Sequence, residues 1–140
     1  YNIYIYIYIY IYIYIYIFME TIIMNIDETT LNAKIIAFDF DGTVCEDKYP
    51  EIGKPKMDII DKLRKEQSNG AKLILWTCRT GDLLKAAVSF LDCLMLLPDA
   101  INDNLPELKE QGLLSRKVYA NIYLDDKAET LNNFLRGDDE

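Results

Sequence analysis

Read for its apolar and polar positions, the chain falls into two unlike parts. From residue 3 to residue 17 isoleucine and tyrosine alternate without a break. Taken literally, this is a period-two pattern, a strand with an isoleucine face and a tyrosine face. Residues 20–34 are mixed and polar, a loose lead-in. Beyond them short apolar runs, each ending in polar residues, alternate with segments of helical spacing. Residues 35–38 form the first run, a strand buried on both faces. Residues 57–67 carry apolar positions at 57, 59, 60 and 63, between Pro55 and Asn69-Gly70, and predict a helix. Residues 71–76 predict a second strand, and 82–97 a helix whose last turns are unusually apolar. A short strand at 99–101, a helix or turn at 105–111, a strand at 118–124 and a closing amphipathic helix at 128–135 complete the series. Strand, helix and strand in this order give parallel βαβ units. The predicted fold is therefore α/β, a Rossmann-like three-layer α/β/α sandwich around a mostly parallel sheet.

Polar residues gather where these strands end. The first strand runs into Asp39-Phe40-Asp41-Gly42-Thr43, the second into Thr77-Cys78-Arg79, and the last into Asp125-Asp126. In open α/β sheets ligands collect at the carboxyl ends of the strands. Carboxylates held close repel each other unless a cation lies between them. Mg²⁺ suits such a site, because it takes oxygen ligands from one or two carboxylates and a substrate phosphate. Gly42 allows a sharp exit turn and close approach to an anion. Thr77 can donate to a phosphoryl oxygen, and Arg79 can offer it a planar fork. Lys117 or Arg116 can balance the charge. The segment at 46–55, with two prolines and a glycine, reads as a flap over the site. Its Tyr49 and Lys54 are either substrate contacts or solvated loop residues. Asn102-Asp103-Asn104 faces the same crevice or forms a plain turn.

Composition narrows the chemistry. A net charge of −8 argues against a general nucleic-acid binder, which needs a basic surface. The chain has no histidine, so histidine triads and histidine-bound zinc are excluded. Three cysteines without C-x-x-C spacing point to reduced thiols and a cytoplasmic protein rather than a disulfide framework.

The Ile/Tyr run lacks the basic start and small-residue cleavage site of a secretory signal. It is long enough for a membrane span, but tyrosine prefers the interface to the hydrocarbon core, and no membrane partner is expected. A DNA repeat of alternating T and A encodes Tyr-Ile in every frame. Residues 1–18 are accordingly expected to be a translated repeat outside the fold, with Met19 or Met24 as the true first residue. Residues 19–140 are then one domain.

Together these motifs resemble the haloacid dehalogenase-like (HAD) hydrolases. The match spans residues 35–131. Phe38-Asp39-Phe40-Asp41-Gly42-Thr43 is similar to the family's first motif, Thr77 to the second, Lys117 to the third and Asp125-Asp126 to the fourth. The longer strings E-D-x-Y-P-x-I-G at 46–53, W-T-x-R at 76–79, N-D-N at 102–104 and S-R-K at 115–117 resemble a small capless group of bacterial and phage members. The resemblance implies that Asp39 is a nucleophile forming an aspartyl-phosphate. Asp41 would be general acid, then base. Gly42, Thr43, Thr77, Arg79 and Lys117 would hold the phosphoryl group or the substrate. Mg²⁺ would be bound by Asp39, Asp41 through its backbone carbonyl, and Asp125 or Asp126. Lys109 is an alternative to Lys117, and Glu129 stands where relatives usually carry an aspartate.

The expected activity is Mg²⁺-dependent hydrolysis of a phosphomonoester, such as a nucleotide or sugar phosphate, at an open site without a cap. The expected partner is a small phosphorylated substrate, with homo-oligomerisation left open. The competing expectation is a phosphate- or metal-binding module without turnover. A response-regulator receiver fits poorly, because no carboxylate follows the second strand until Asp82.

Overall fold

The computed structural model describes residues 2–31 and 33–128. The helix expected at 128–135, Glu129 and the acidic tail lie outside the described residues. The chain divides into two compact units, residues 1–33 and residues 34–140.

The first unit is a single helix, α1 (Asn2–Leu31). This corrects both the literal strand reading of the Ile/Tyr run and the loose lead-in expected after it. A lone strand leaves its backbone N–H and C=O groups without partners, whereas a helix pairs them internally. At about 100° per residue, alternate positions lie about 200° apart, so isoleucine and tyrosine each spread round the whole helix. No apolar face results, and residues 3–19 are exposed on every side. By length and composition, Ile3–Glu20 is apolar enough to cross a membrane.

The second unit is the α/β Rossmann-like three-layer fold. Its strands are β1 (Ile35–Phe38), β2 (Lys72–Leu75), β3 (Ala100–Ile101) and β4 (Ile122–Leu124). They form one sheet in the order β3-β2-β1-β4, with every neighbouring pair parallel. Helices α2 (Met57–Ser68), α3 (Gly81–Cys93) and the short α4 (Pro106–Glu110) connect them.

Alternation along β1 sorts the core into two layers. Ile36 and Phe38 face Ile60 and Leu63 of α2 and Ala87 and Leu91 of α3. Ile35 and Ala37 face the other way, onto Leu105, Leu108 and Val118. Right-handed crossovers explain the division. The chain steps outward from β1 to β2 to β3, so α2 and α3 cover one face. It then reverses to reach β4 on the far side of β1, which puts α4 on the other.

The reversal leaves β1 in the middle, with the carboxyl ends of β2 and β4 on either side. The Trp76 N–H donates to the Phe38 carbonyl at 2.9 Å, and the Asp39 N–H donates to the Leu124 carbonyl at 2.9 Å. β4 begins later than its apolar run suggests. Val118 is instead spent on the second core layer, and the Tyr119 N–H donates to the buried Asn104 side chain at 2.7 Å. The segment at 91–97 is a frayed helix end: Leu91 and Leu96 are buried, while Met95 and Leu97 are exposed.

Candidate metal and phosphate site

Three carboxylates converge at the carboxyl ends of β1 and β4. One oxygen from each of Asp39, Asp125 and Asp126 lies within 4.8 Å of the others. Oxygens on an Mg²⁺ octahedron stand about 3 to 4.2 Å apart, given metal–oxygen distances of about 2.1 Å. Small side-chain adjustments reach that spacing, so these residues fit the ion. Burial pushes the Asp39 carboxyl above its ordinary value, and the charges of Asp125, Asp41 and Asp126 push the same way. A backbone N–H from Phe40 opposes them. A cation at the cluster would relieve this repulsion.

The turn after Asp39 makes the convergence possible. Gly42 has φ +80°, and a Cβ there would collide with the Asp126 carboxylate. Glycine is therefore required twice, by the backbone and by the approach of the second acidic pair. The Thr43 hydroxyl accepts the Asp126 N–H at 3.0 Å and ties the end of β4 to the β1 turn. Thr43, buried at this junction, thus positions a carboxylate, whereas the sequence reading gave it to the phosphoryl group.

Asp41 does not join the carboxylate cluster. Both its oxygens accept from Arg79, Nε at 2.8 Å and Nη2 at 2.7 Å. Arg79 also donates to the carbonyls of Pro50 and Glu51, at 2.9 and 2.8 Å. Its guanidinium lies 5.0 Å from the Phe40 ring centre and 5.4 Å from that of Tyr49. At 1% exposure, Arg79 offers no free fork to a ligand. The expectation of a phosphate-binding Arg79 is corrected on this ground: its donors fasten the flap to Asp41. The flap is closed at its base by Glu46 N–H to the Lys54 carbonyl and Lys56 N–H to the Val44 carbonyl, each at 2.9 Å.

Thr77 lies beside the cluster, in the crevice it shares with Asp39, Asp41 and Asp125. Asn102 grips its backbone at two points, accepting the Thr77 N–H and donating to its carbonyl, both at 2.8 Å. The Thr77 hydroxyl accepts the Arg79 N–H at 3.2 Å, which leaves its own proton for another acceptor. Of the N-D-N string, only Asn102 meets the crevice. Asp103 pairs with Lys109, and Asn104 holds the loop before β4.

Lys117 is not among the residues lining the crevice. Its ammonium lies 5.4 Å over the Tyr123 ring. Arg116 is exposed, and Lys109 is spent on Asp103. Two other lysines stand closer to the carboxylates. Lys127 lines the crevice and pairs with Asp47 at 3.4 Å, and Asp47, Asp126 and Asp39 raise its pKa. Lys56 donates to the Gly42 carbonyl and lines an adjoining hollow with Asp125 and Asp126. The sequence reading missed both. Lys127 directly follows the acidic pair, and that adjacency was the available signal. Lys56 carried none, because the flap that returns it to the turn has no periodic pattern.

No family model and no curated protein matches the chain. Among solved structures it is similar to a conserved protein from Bacteroides thetaiotaomicron, at 38% identity and a TM-score of 0.63. The match covers 69% of this chain and 78% of that one. The chain belongs to that protein's family. The two share the α/β fold, and in this chain the ends of β1 and β4 carry the carboxylates.

Proposed function

We propose that the chain is a capless HAD-like phosphohydrolase of the cytoplasm, acting on a phosphomonoester with Mg²⁺. The observation that carries the reading is the convergence of Asp39, Asp125 and Asp126 beside the Thr77 hydroxyl. Asp39, Asp125 and Asp126 would hold the ion, which supplies charge neutralisation for an anionic substrate. Asp39 would attack phosphorus with its remaining oxygen, and the resulting aspartyl-phosphate divides one displacement into two easier ones. Thr77 would donate to a phosphoryl oxygen, and Lys127 would offset charge at the crevice wall in the role first given to Lys117. Asp41, oriented by Arg79, would exchange a proton with the leaving group and then with water, once a ligand draws it from the fork.

Phosphate release from an aryl phosphate with Mg²⁺ tests the reading. Release is expected from the native chain and is lost in Asp39→Asn. Asp126→Asn is expected to remove most of the Mg²⁺-dependent rise in Tm. One observation favours a second reading, a metal- and phosphate-binding module without turnover: both oxygens of Asp41 are occupied by Arg79. That reading predicts a Tm rise with Mg²⁺ and no phosphate release from any ester.

A further inference from the structure

Phosphate chemistry accounts for the carboxylates and Thr77, but not for two large aromatic side chains in the same crevice. Trp76 follows β2 directly and is 37% exposed, and Tyr49 on the flap is 60% exposed. Tyr49 is not a loose loop residue. One face of its ring rests against the Arg79 guanidinium, and Arg79 also holds the carbonyls of the next two residues. The flap aromatic is thereby fixed before any ligand arrives, which lowers the ordering cost of binding. The charge of the crevice adds a second constraint. Among the described residues, Asp39, Asp41, Asp47 and Asp125 line it against one ammonium, that of Lys127. One divalent ion and the phosphoryl group it holds leave no surplus positive charge for a second anion. The crevice encloses about 570 Å³, within the range of roughly 300–1,000 Å³ usual for small-molecule sites.

We propose that the substrate is a nucleoside monophosphate, its phosphate at Asp39 and its base against Tyr49 and Trp76. This rests on the phosphohydrolase reading for the placement of the phosphate. A base stacks on an aromatic face whatever its hydrogen-bonding pattern, so the site discriminates weakly among bases. A sugar bisphosphate or a nucleoside triphosphate brings a second anion to an acidic wall and is rejected.

The test compares adenosine monophosphate with ribose 5-phosphate, which keeps the sugar and phosphate and lacks the base, using the full chain with Mg²⁺. The expected kcat/KM for adenosine monophosphate is about tenfold higher, through KM, the size of one stacking contact. Tyr49→Ala brings the ratio of the two substrates close to one, and Tyr49→Phe preserves it. Trp76 is the only tryptophan in the chain, so its fluorescence reports stacking without turnover. Quenching is expected with adenosine monophosphate and not with ribose 5-phosphate. Equal kcat/KM for the two, loss of both alike in Tyr49→Ala, or preference for a phosphotyrosyl peptide overturns the proposal. Quenching by adenosine monophosphate with no hydrolysis of any ester upholds the ligand and removes the hydrolase. Hydrolysis of ribose 5-phosphate without quenching or preference by adenosine monophosphate does the reverse.

Discussion

Single residues hold the candidate site together. Gly42→Ala puts a methyl group into the Asp126 carboxylate at a positive φ. The expected loss is about 1–3 kcal/mol in urea unfolding, together with most of the Mg²⁺-induced gain in Tm. Arg79→Ala leaves Asp41 and two flap carbonyls without donors, and breaking such a buried pair costs about 3–5 kcal/mol. Arg79→Lys recovers only part of this, because an ammonium cannot reproduce a fork that bonds one carboxylate twice. A third residue sets an acid limb on stability. Lys62 and Lys34 hold the Glu66 carboxyl down to about 2. A depressed carboxylate stabilises the fold above its unfolded value near 4.5, and the contribution is lost as pH falls toward 2. Urea unfolding across this window should show Glu66→Gln losing less stability on acidification than the native chain, with the difference shrinking in high salt.

At the scale of elements, what the sequence disclosed depended on periodicity. β1, β2, α2 and α3 announced themselves by buried runs and helical spacing, and the polar residues at the ends of β1, β2 and β4 marked the crevice. Patterns lacking long-range information misled. Ile/Tyr alternation has a strand's period, yet the segment folds as α1, whose backbone groups pair within the helix. Arg79 resembled a phosphate ligand because its partners, Asp41 and the carbonyls of the flap, are distant in the chain. Asn104 stood in a string that could face the crevice or form a plain turn, and it ties the loop before β4 through Ser115 and Tyr119. Asn104→Ala should cost about 1–3 kcal/mol, the desolvation penalty of the orphaned backbone groups, as measured by urea unfolding.

At the scale of the molecule, the two units differ in what they need from their surroundings. The α/β unit buries its apolar runs in two layers of its own. α1, about 45 Å long by its 30 residues, buries no side chain over residues 3–19. So large an exposed apolar surface drives association in water or insertion into detergent. The full chain is expected to sediment as oligomers or to partition into micelles, and a chain beginning at Lys34 to sediment as one small species with its circular dichroism retained.

The sheet order β3-β2-β1-β4 also sets when the site exists during synthesis. Asp39 leaves the ribosome early, but Asp125 and Asp126 follow more than eighty residues later, on the strand that closes the open side of β1. A nascent chain arrested before β4 carries one acidic end without its counterparts and a central strand with a bare edge. In that interval the carboxylate cluster is incomplete, and the ligand set proposed for Mg²⁺ comes together only when β4 has paired with β1.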